Sequence, residues 1–309
     1  MFKEDKRITS LLGQYTRLRI SSLSIIMLNV IIDFHTHVVP PQVRERRVEY
    51  VGRDACFSLL YSQPKAKLAS VEELIASMDD CAIDKSVILN LGWVSHELCV
   101  ETNDYLLEAA ARYPQRVISF CVIQPLAGDK AIRELERCVR SGAKGIGEMR
   151  PDVQGFDLRD NTVMKPVVEF AIEHDLIFLI HASEPVGHEY FGKGNITPDT
   201  IYPFISNFPE LKLVCAHWGG GLPFYALMPE VAEALANTFF DTAATLFLYQ
   251  PQIFKHVTDI VGSGKILFGS DYPLLSPKRI MDQLELAELG MEDSARILGD
   301  NAHSLLSIT

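Results

Sequence analysis

The chain is 309 residues long, 48% hydrophobic and 22% charged, with a formal net charge of −11. This is globular composition, enough for one large core or two small ones, and the acidic balance argues against a nucleic-acid-binding surface. The six cysteines are scattered without a C-x-x-C pair, so they read as buried thiols of a reducing, cytoplasmic compartment and not as a disulfide framework.

Residues 1–22 are polar and basic, and the apolar run 23–32 that follows is broken by Asn29 and ended by Asp33. That run is too short to span a membrane, and no small-residue cleavage site follows it. Residues 1–26 therefore read as an extension outside the fold, with Met27 as a natural first residue and 27–309 as a single domain.

Eight short apolar runs then predict strands at 30–34, 86–89, 117–123, 145–147, 176–180, 211–216, 238–241 and 266–269. Each is continuous or nearly so, as in strands buried on both faces of a parallel sheet. Amphipathic stretches alternate with them. Ser70-Val71-Glu72-Glu73 has capping-box spacing and opens a helix whose Val71, Leu74, Ile75 and Met78 share a face. Residues 101–113, 129–141, 163–174, 199–208, 223–236, 249–261 and 276–289 follow the same pattern, with Pro166, Pro203, Pro251 and Pro277 in first turns. The repeat predicts an α/β protein, a (β/α)8 barrel of the usual length of about 250 residues. A doubly wound parallel sheet is the alternative. Residues 41–69 break the rhythm. Two β-favouring runs flank Gly52-Arg53-Asp54 there, which predicts a small hairpin inserted after the first strand, over the barrel mouth.

The first strand reads Ile31-Ile32-Asp33-Phe34-His35-Thr36-His37-Val38. Strand residues i and i+2 share a face, so His35 and His37 project together. On its own the pair is weak, and two satisfied polar groups at a strand end is the plain alternative. Further along, Glu148 ends the fourth strand, His181 the fifth, His217 the sixth and Asp271 the eighth. A barrel brings such ends to one rim. Packing alone does not explain four histidines and two acids there, because burying an unpaired ionisable group costs several kcal/mol. A divalent cation is the simplest compensation, zinc first, with manganese, iron or cobalt as alternatives. For Glu148 the competing role is a salt bridge to Arg150 or another basic residue. Arg150 is a candidate grip on a substrate carboxylate, against a surface ion pair. Trp93 and Trp218 are candidate pocket walls, against aromatic core packing. Gly219, Gly220 and Gly221 read as backbone clearance in a tight turn behind His217.

The segments IDFHTHVVP, LIHASEP, VCAHWGGGLPF, ILFGSDYPL and RILGDNAHSLL, spread from residue 30 to 306, resemble the amidohydrolase superfamily. Within it they are most similar to the amidohydrolase 2 branch, which contains aminocarboxymuconate-semialdehyde decarboxylase. The resemblance implies a catalytic metal held by His35, His37, His181 and Asp271. His217 would lie beside it, polarising substrate or water, or binding a second metal. Glu148 departs from the branch and resembles deoxyribonucleases of the TatD type. That implies a two-ion alternative, with His35, His37 and Asp271 around one ion, His181 and His217 around the other, and Glu148 bridging.

The reaction expected is hydrolysis of a small, carboxylated organic substrate by metal-activated water, with Asp271 as general base and then acid and His217 on the developing oxyanion. His181-Ala182-Ser183, where decarboxylases of the branch commonly show His-Pro, leans that way. The alternatives are non-oxidative decarboxylation of an aromatic or muconate-type acid and a TatD-type two-metal phosphodiesterase. A barrel that binds metal without catalysis fits poorly, since every proton-transfer position is filled. No nucleic-acid or membrane partner is expected, and a homodimer is left open.

Overall fold

The computed structural model describes residues 30–308; the reading of 1–26 as an extension lies outside them. Eight strands run in the order β1 to β8: Ile32–His37, Lys85–Leu89, Val117–Cys121, Gly145–Met149, Ile177–Ile180, Leu213–Cys215, Thr238–Asp241 and Ile266–Leu267. Each pairs in parallel with the next. Helices connect them on the outside, as the right-handed crossover of parallel strands requires. β8 is only two residues long, shorter than 266–269, yet the ring closes on β1. Phe34 N–H donates to Phe268 O at 2.7 Å, Asp271 N–H to His35 O at 2.9 Å and His37 N–H to Tyr272 O at 2.7 Å. The architecture is a (β/α)8 barrel.

The barrel interior is a packed core. Phe34, Val87, Leu89, Phe120, Leu179, Val214 and Leu267 form one buried cluster, and Phe34 meets Phe120 edge-on at 5.8 Å. β1 carries a register shift between Asp33 and Thr36. The shift reconciles two demands on one strand: Phe34 seals the interior, and His35 and His37 still both reach the rim above it. Two further clusters fill the layer between strands and helices. The capping box at Ser70 and Glu73 forms as expected and starts the helix Val71–Cys81.

The insertion after β1 is helical, not a hairpin. It forms Pro41–Glu45, Arg47–Arg53 and Ala55–Tyr61. Gly52 lies inside the second helix, and Asp54 is no turn residue but the N-cap of the third, accepting from Phe57 N–H at 3.0 Å. The β-favouring residues here are spaced for helices. Val43 in the first helix, Tyr50 in the second and Phe57 and Tyr61, one turn apart, in the third all turn inward and are buried. Residues 223–236 also divide, into a tight helical turn His217–Leu227 and the helix Pro229–Ala234. No helix among the described residues is long and apolar enough to cross a membrane.

Candidate metal centre

The strand ends converge as the barrel demands. His35 Nε2 and His37 Nε2 lie 3.0 Å apart. Asp271 Oδ1 is 3.8 Å from the first and 3.5 Å from the second, and Glu148 Oε2 is 3.9 and 3.5 Å from the same two atoms. Glu148 Oε1 faces the other way, 2.8 Å from His181 Nδ1 and 3.4 Å from His217 Nε2. The two oxygens of one carboxylate thus serve two histidine pairs. The groups with metal-binding spacing are His35, His37 and Glu148 on one side and Glu148, His181 and His217 on the other. Asp271 joins the first. His181 reaches that side through Glu148, and its Nε2 is within 3.2 Å of Ser183 Oγ.

Asp241, at the end of β7, organises this cluster and was not among the residues expected from sequence. Its Oδ2 accepts from His35 Nδ1 at 2.7 Å, and its Oδ1 accepts from the backbone N–H of His217 at 2.9 Å and of Ala243 at 3.0 Å. A proton fixed on His35 Nδ1 leaves Nε2 aimed at the centre, the usual device for orienting a metal-binding imidazole. The signal was present, since Thr238-Phe239-Phe240-Asp241 ends in a ligand-type side chain just as the other strands do.

Charge in the cluster is unevenly held. Burial pulls His35 down, but Asp241, then Glu148 and Asp271, outweigh it and push the ring up to about 10. Burial and His35 hold His37 down. Burial and the Arg150 guanidinium bring His181 down to about 4, against the opposing pull of Glu148. Burial alone would raise Glu148, yet His181, His217 and His35 keep it well below the ordinary carboxylate range. Beneath the rim, burial pushes Asp33 up to about 7 although it accepts from Ser270 N–H at 2.9 Å and from Ser270 Oγ–H at 2.5 Å.

His217 and Asp271 both sit in left-handed backbone, at φ 55° and 64°, a conformation that costs non-glycine residues of order 1 kcal/mol or more and is tolerated at functional sites. The glycines after His217 serve the turn as expected: Gly220 has φ +61° and its Cβ would fall 2.2 Å from Ser183 O.

The other three candidates have settled positions. Arg150 is 2% exposed. Its Nη2 donates to Asp152 Oδ2 at 3.1 Å and to Gly192 O at 2.9 Å, so it ties the loop after β5 to the rim. Trp93 is fully enclosed, stacked on Phe57 at 5.4 Å and donating to Asn90 Oδ1 at 2.9 Å. Trp218 is likewise enclosed, edge-on to Phe254 at 5.0 Å, and donates to Thr245 Oγ1 at 2.8 Å. Both indoles are core, and Trp93 anchors the helical insertion.

Known proteins resemble the chain over most of its length. It is 23% identical to the gamma-resorcylate decarboxylase of Polaromonas sp. (strain JS666 / ATCC BAA-500), over 69% of this chain and 77% of that one. It is 22% identical to the 2-amino-3-carboxymuconate-6-semialdehyde decarboxylase of Dictyostelium discoideum, over 90% and 91%. The fold matches the crystal structure of 5-carboxyvanillate decarboxylase from Novosphingobium aromaticivorans DSM 12444, complexed with manganese and 4-hydroxy-3-methoxy-5-nitrobenzoic acid, with a TM-score of 0.75 at 18% identity over 91% of this chain and 96% of that one. The family model described as amidohydrolase matches residues 32–308, and with strands, closure and rim arranged as above, the chain belongs to the amidohydrolase family.

Proposed function

We propose that the chain is a metal-dependent, non-oxidative decarboxylase of an aromatic or muconate-type carboxylic acid. This reverses the order of the first two of the three enzyme readings drawn from the sequence, where hydrolysis stood first. The observation that carries it is the agreement among curated relatives, three of them decarboxylases by name and each matched over most of its length. The Ala182 that follows His181 leaned the other way; in the structure it is a fully buried position.

The residues fit a divalent cation. Two imidazole Nε2 atoms face each other at 3.0 Å with carboxylate oxygens of Glu148 and Asp271 within 3.9 Å of both. The field that draws a proton on to His35 is the field that would hold a cation in its place. His35, His37 and Asp271 would hold it, with Glu148 shared towards His181 and His217. Manganese and zinc both suit this nitrogen and oxygen set, and manganese, as found in the 5-carboxyvanillate enzyme, is the first ion to test. When bound, it supplies positive charge that positions the substrate's acidic oxygens and draws electron density from the ring.

The protein's own groups then do the proton work. Asp271 has the most exposed side chain of the cluster, at 15%, and is the group best placed to donate a proton to the carbon that bears the carboxylate. The carbon–carbon bond then breaks, its electron pair restores the ring or diene, and carbon dioxide leaves. Water returns a proton to Asp271. His217, fixed by Asp241 and by Ala243 O at 3.2 Å, steadies the substrate oxygen beside that carbon.

The test is carbon dioxide release from gamma-resorcylate, 5-carboxyvanillate and aminocarboxymuconate semialdehyde by manganese-loaded protein, against lactones, amides and esters for hydrolysis. Hydrolysis without carbon dioxide release overturns the reading. A second reading, the two-ion centre, is favoured by the placing of Glu148 between both histidine pairs. Two ions per chain in the loaded protein would support it, and one would remove it.

A further inference from the structure

At the seam between β1 and β8 lies an open cleft of about 560 Å3, lined by Arg47, Lys65, Lys67, Glu73, Tyr272 and Ser276 with neighbouring residues of both walls. One wall is the end of the helical insertion, residues 64–69. The other is the segment 272–276 that leaves β8. Both walls are tied by backbone hydrogen bonds to the chain at and just after His37. Val39 N–H, two residues beyond His37, donates to Ala69 O at 2.9 Å, and His37 N–H itself donates to Tyr272 O at 2.7 Å. The cleft therefore straddles the seam where β1 meets β8, on the flank of Asp271.

Its charge is opposite to that of the chain. Arg47 is spent on structure, donating to Gln63 O at 3.3 Å, Pro64 O at 3.0 Å and Ala66 O at 2.8 Å. It thereby fixes the segment that presents Lys65 and Lys67. Those two ammonium groups are exposed and have no carboxylate within 4.0 Å among the described residues. The acid of the cleft, Glu73, is already neutralised by Arg44 at 2.6 Å and occupied by Ser70 N–H at 2.8 Å. On a chain of net charge −11, an approaching anion is repelled in general and attracted here.

We propose that this cleft is an anion-binding entry site that takes a small aromatic acid carrying a second acidic group, holds it by Lys65 and Lys67, and hands it to the metal centre past Asp271. This deepens the decarboxylase reading by naming the route and the charge of the substrate, and it rests on that reading for the destination. Lysine suits the task, since a flexible, hydrated point charge attracts an anion without locking it in one pose. Rim charges of this kind act on encounter and salt dependence more than on the bound complex.

The experiment uses isophthalate as the probe, titrated into the full chain stripped of metal. In wild type, binding is expected at low ionic strength. In Lys65→Gln/Lys67→Gln it weakens about tenfold, and the difference disappears at about 0.5 M salt. Lys144→Gln, an exposed lysine just before β4 at the opposite end of the barrel, changes nothing. Surface substitutions of this kind leave folding intact. Equal binding by wild type and the double variant, or no binding by either, overturns the proposal. In the metal-loaded enzyme the double variant raises KM and leaves kcat. Carbon dioxide release with an unchanged KM and unchanged salt dependence overturns the cleft and spares the reaction. Lysine-dependent isophthalate binding without carbon dioxide release from any acid supports the cleft as an anion site and overturns the reaction.

Discussion

His35 and His181 stand at the same rim, both enclosed, yet one is pushed up to about 10 and the other down to about 4. The solvent cost of charging them is similar. What differs is the neighbour outside the cluster. Asp241 backs His35 at 2.7 Å, and the Arg150 cation acts on His181. Glu148, with one oxygen on each side, is common to both halves. The β1–β7–β8 side is thus built around negative charge and the β4–β5 side around a buried cation. The first is the side prepared to receive a positive ion. The second is prepared to keep its imidazole neutral.

Four changes break or sharpen that contrast. Asp271→Asn removes the proton donor from the negative side, and the rate of carbon dioxide release is expected to fall by roughly 100- to 10,000-fold, with thermal unfolding little changed. Arg150→Met removes the cation from the other side and leaves Asp152, only 8% exposed, without its partner. Urea unfolding should show a loss of about 3–5 kcal/mol, and hydrogen exchange should quicken in the loop held by Gly192. Asp241→Asn keeps the shape behind His35 but not the charge. Competition with a chelating dye should show metal affinity about 10- to 100-fold lower. Asp33→Asn acts only through pH. The folded chain holds the Asp33 proton up to about 7, against an ordinary value of 3.8, so this group's contribution is fully present below 3.8 and lost as pH rises through 7. Unfolding of the metal-free variant across that window should lack the decline that wild type shows.

The barrel was legible because its strands are buried on both faces and so appear as plain apolar runs, and because the residue ending each run is chemically out of place. That rule brought out His181, His217, Glu148 and Asp271 from positions far apart in the chain. Applied evenly, it would also have brought out Asp241. The insertion was misread for a different reason. Its aromatic and β-branched residues favour strands individually, yet they are the inward-facing residues of three short helices, two of which set Tyr50 and Phe57 against Trp93. Asp54 resembled a turn because N-caps and turns use the same side-chain acceptor chemistry. The basic cleft left no trace in the sequence at all. Lys65 and Lys67 gain meaning only when closure of the ring sets Tyr272 in the other wall of their cleft.

That closure has a consequence for biosynthesis. Asp33 and Ser270 bond across 237 positions of chain, and His35 meets Asp271 through the same seam. A nascent polypeptide still lacking its last strand carries Glu148 and Asp241 but neither Asp271 nor the contacts that close the ring. The full set of acids and the seam that aligns them are therefore complete only after translation has passed the eighth strand, so a product truncated before it lacks Asp271 and the closing bonds of the ring together.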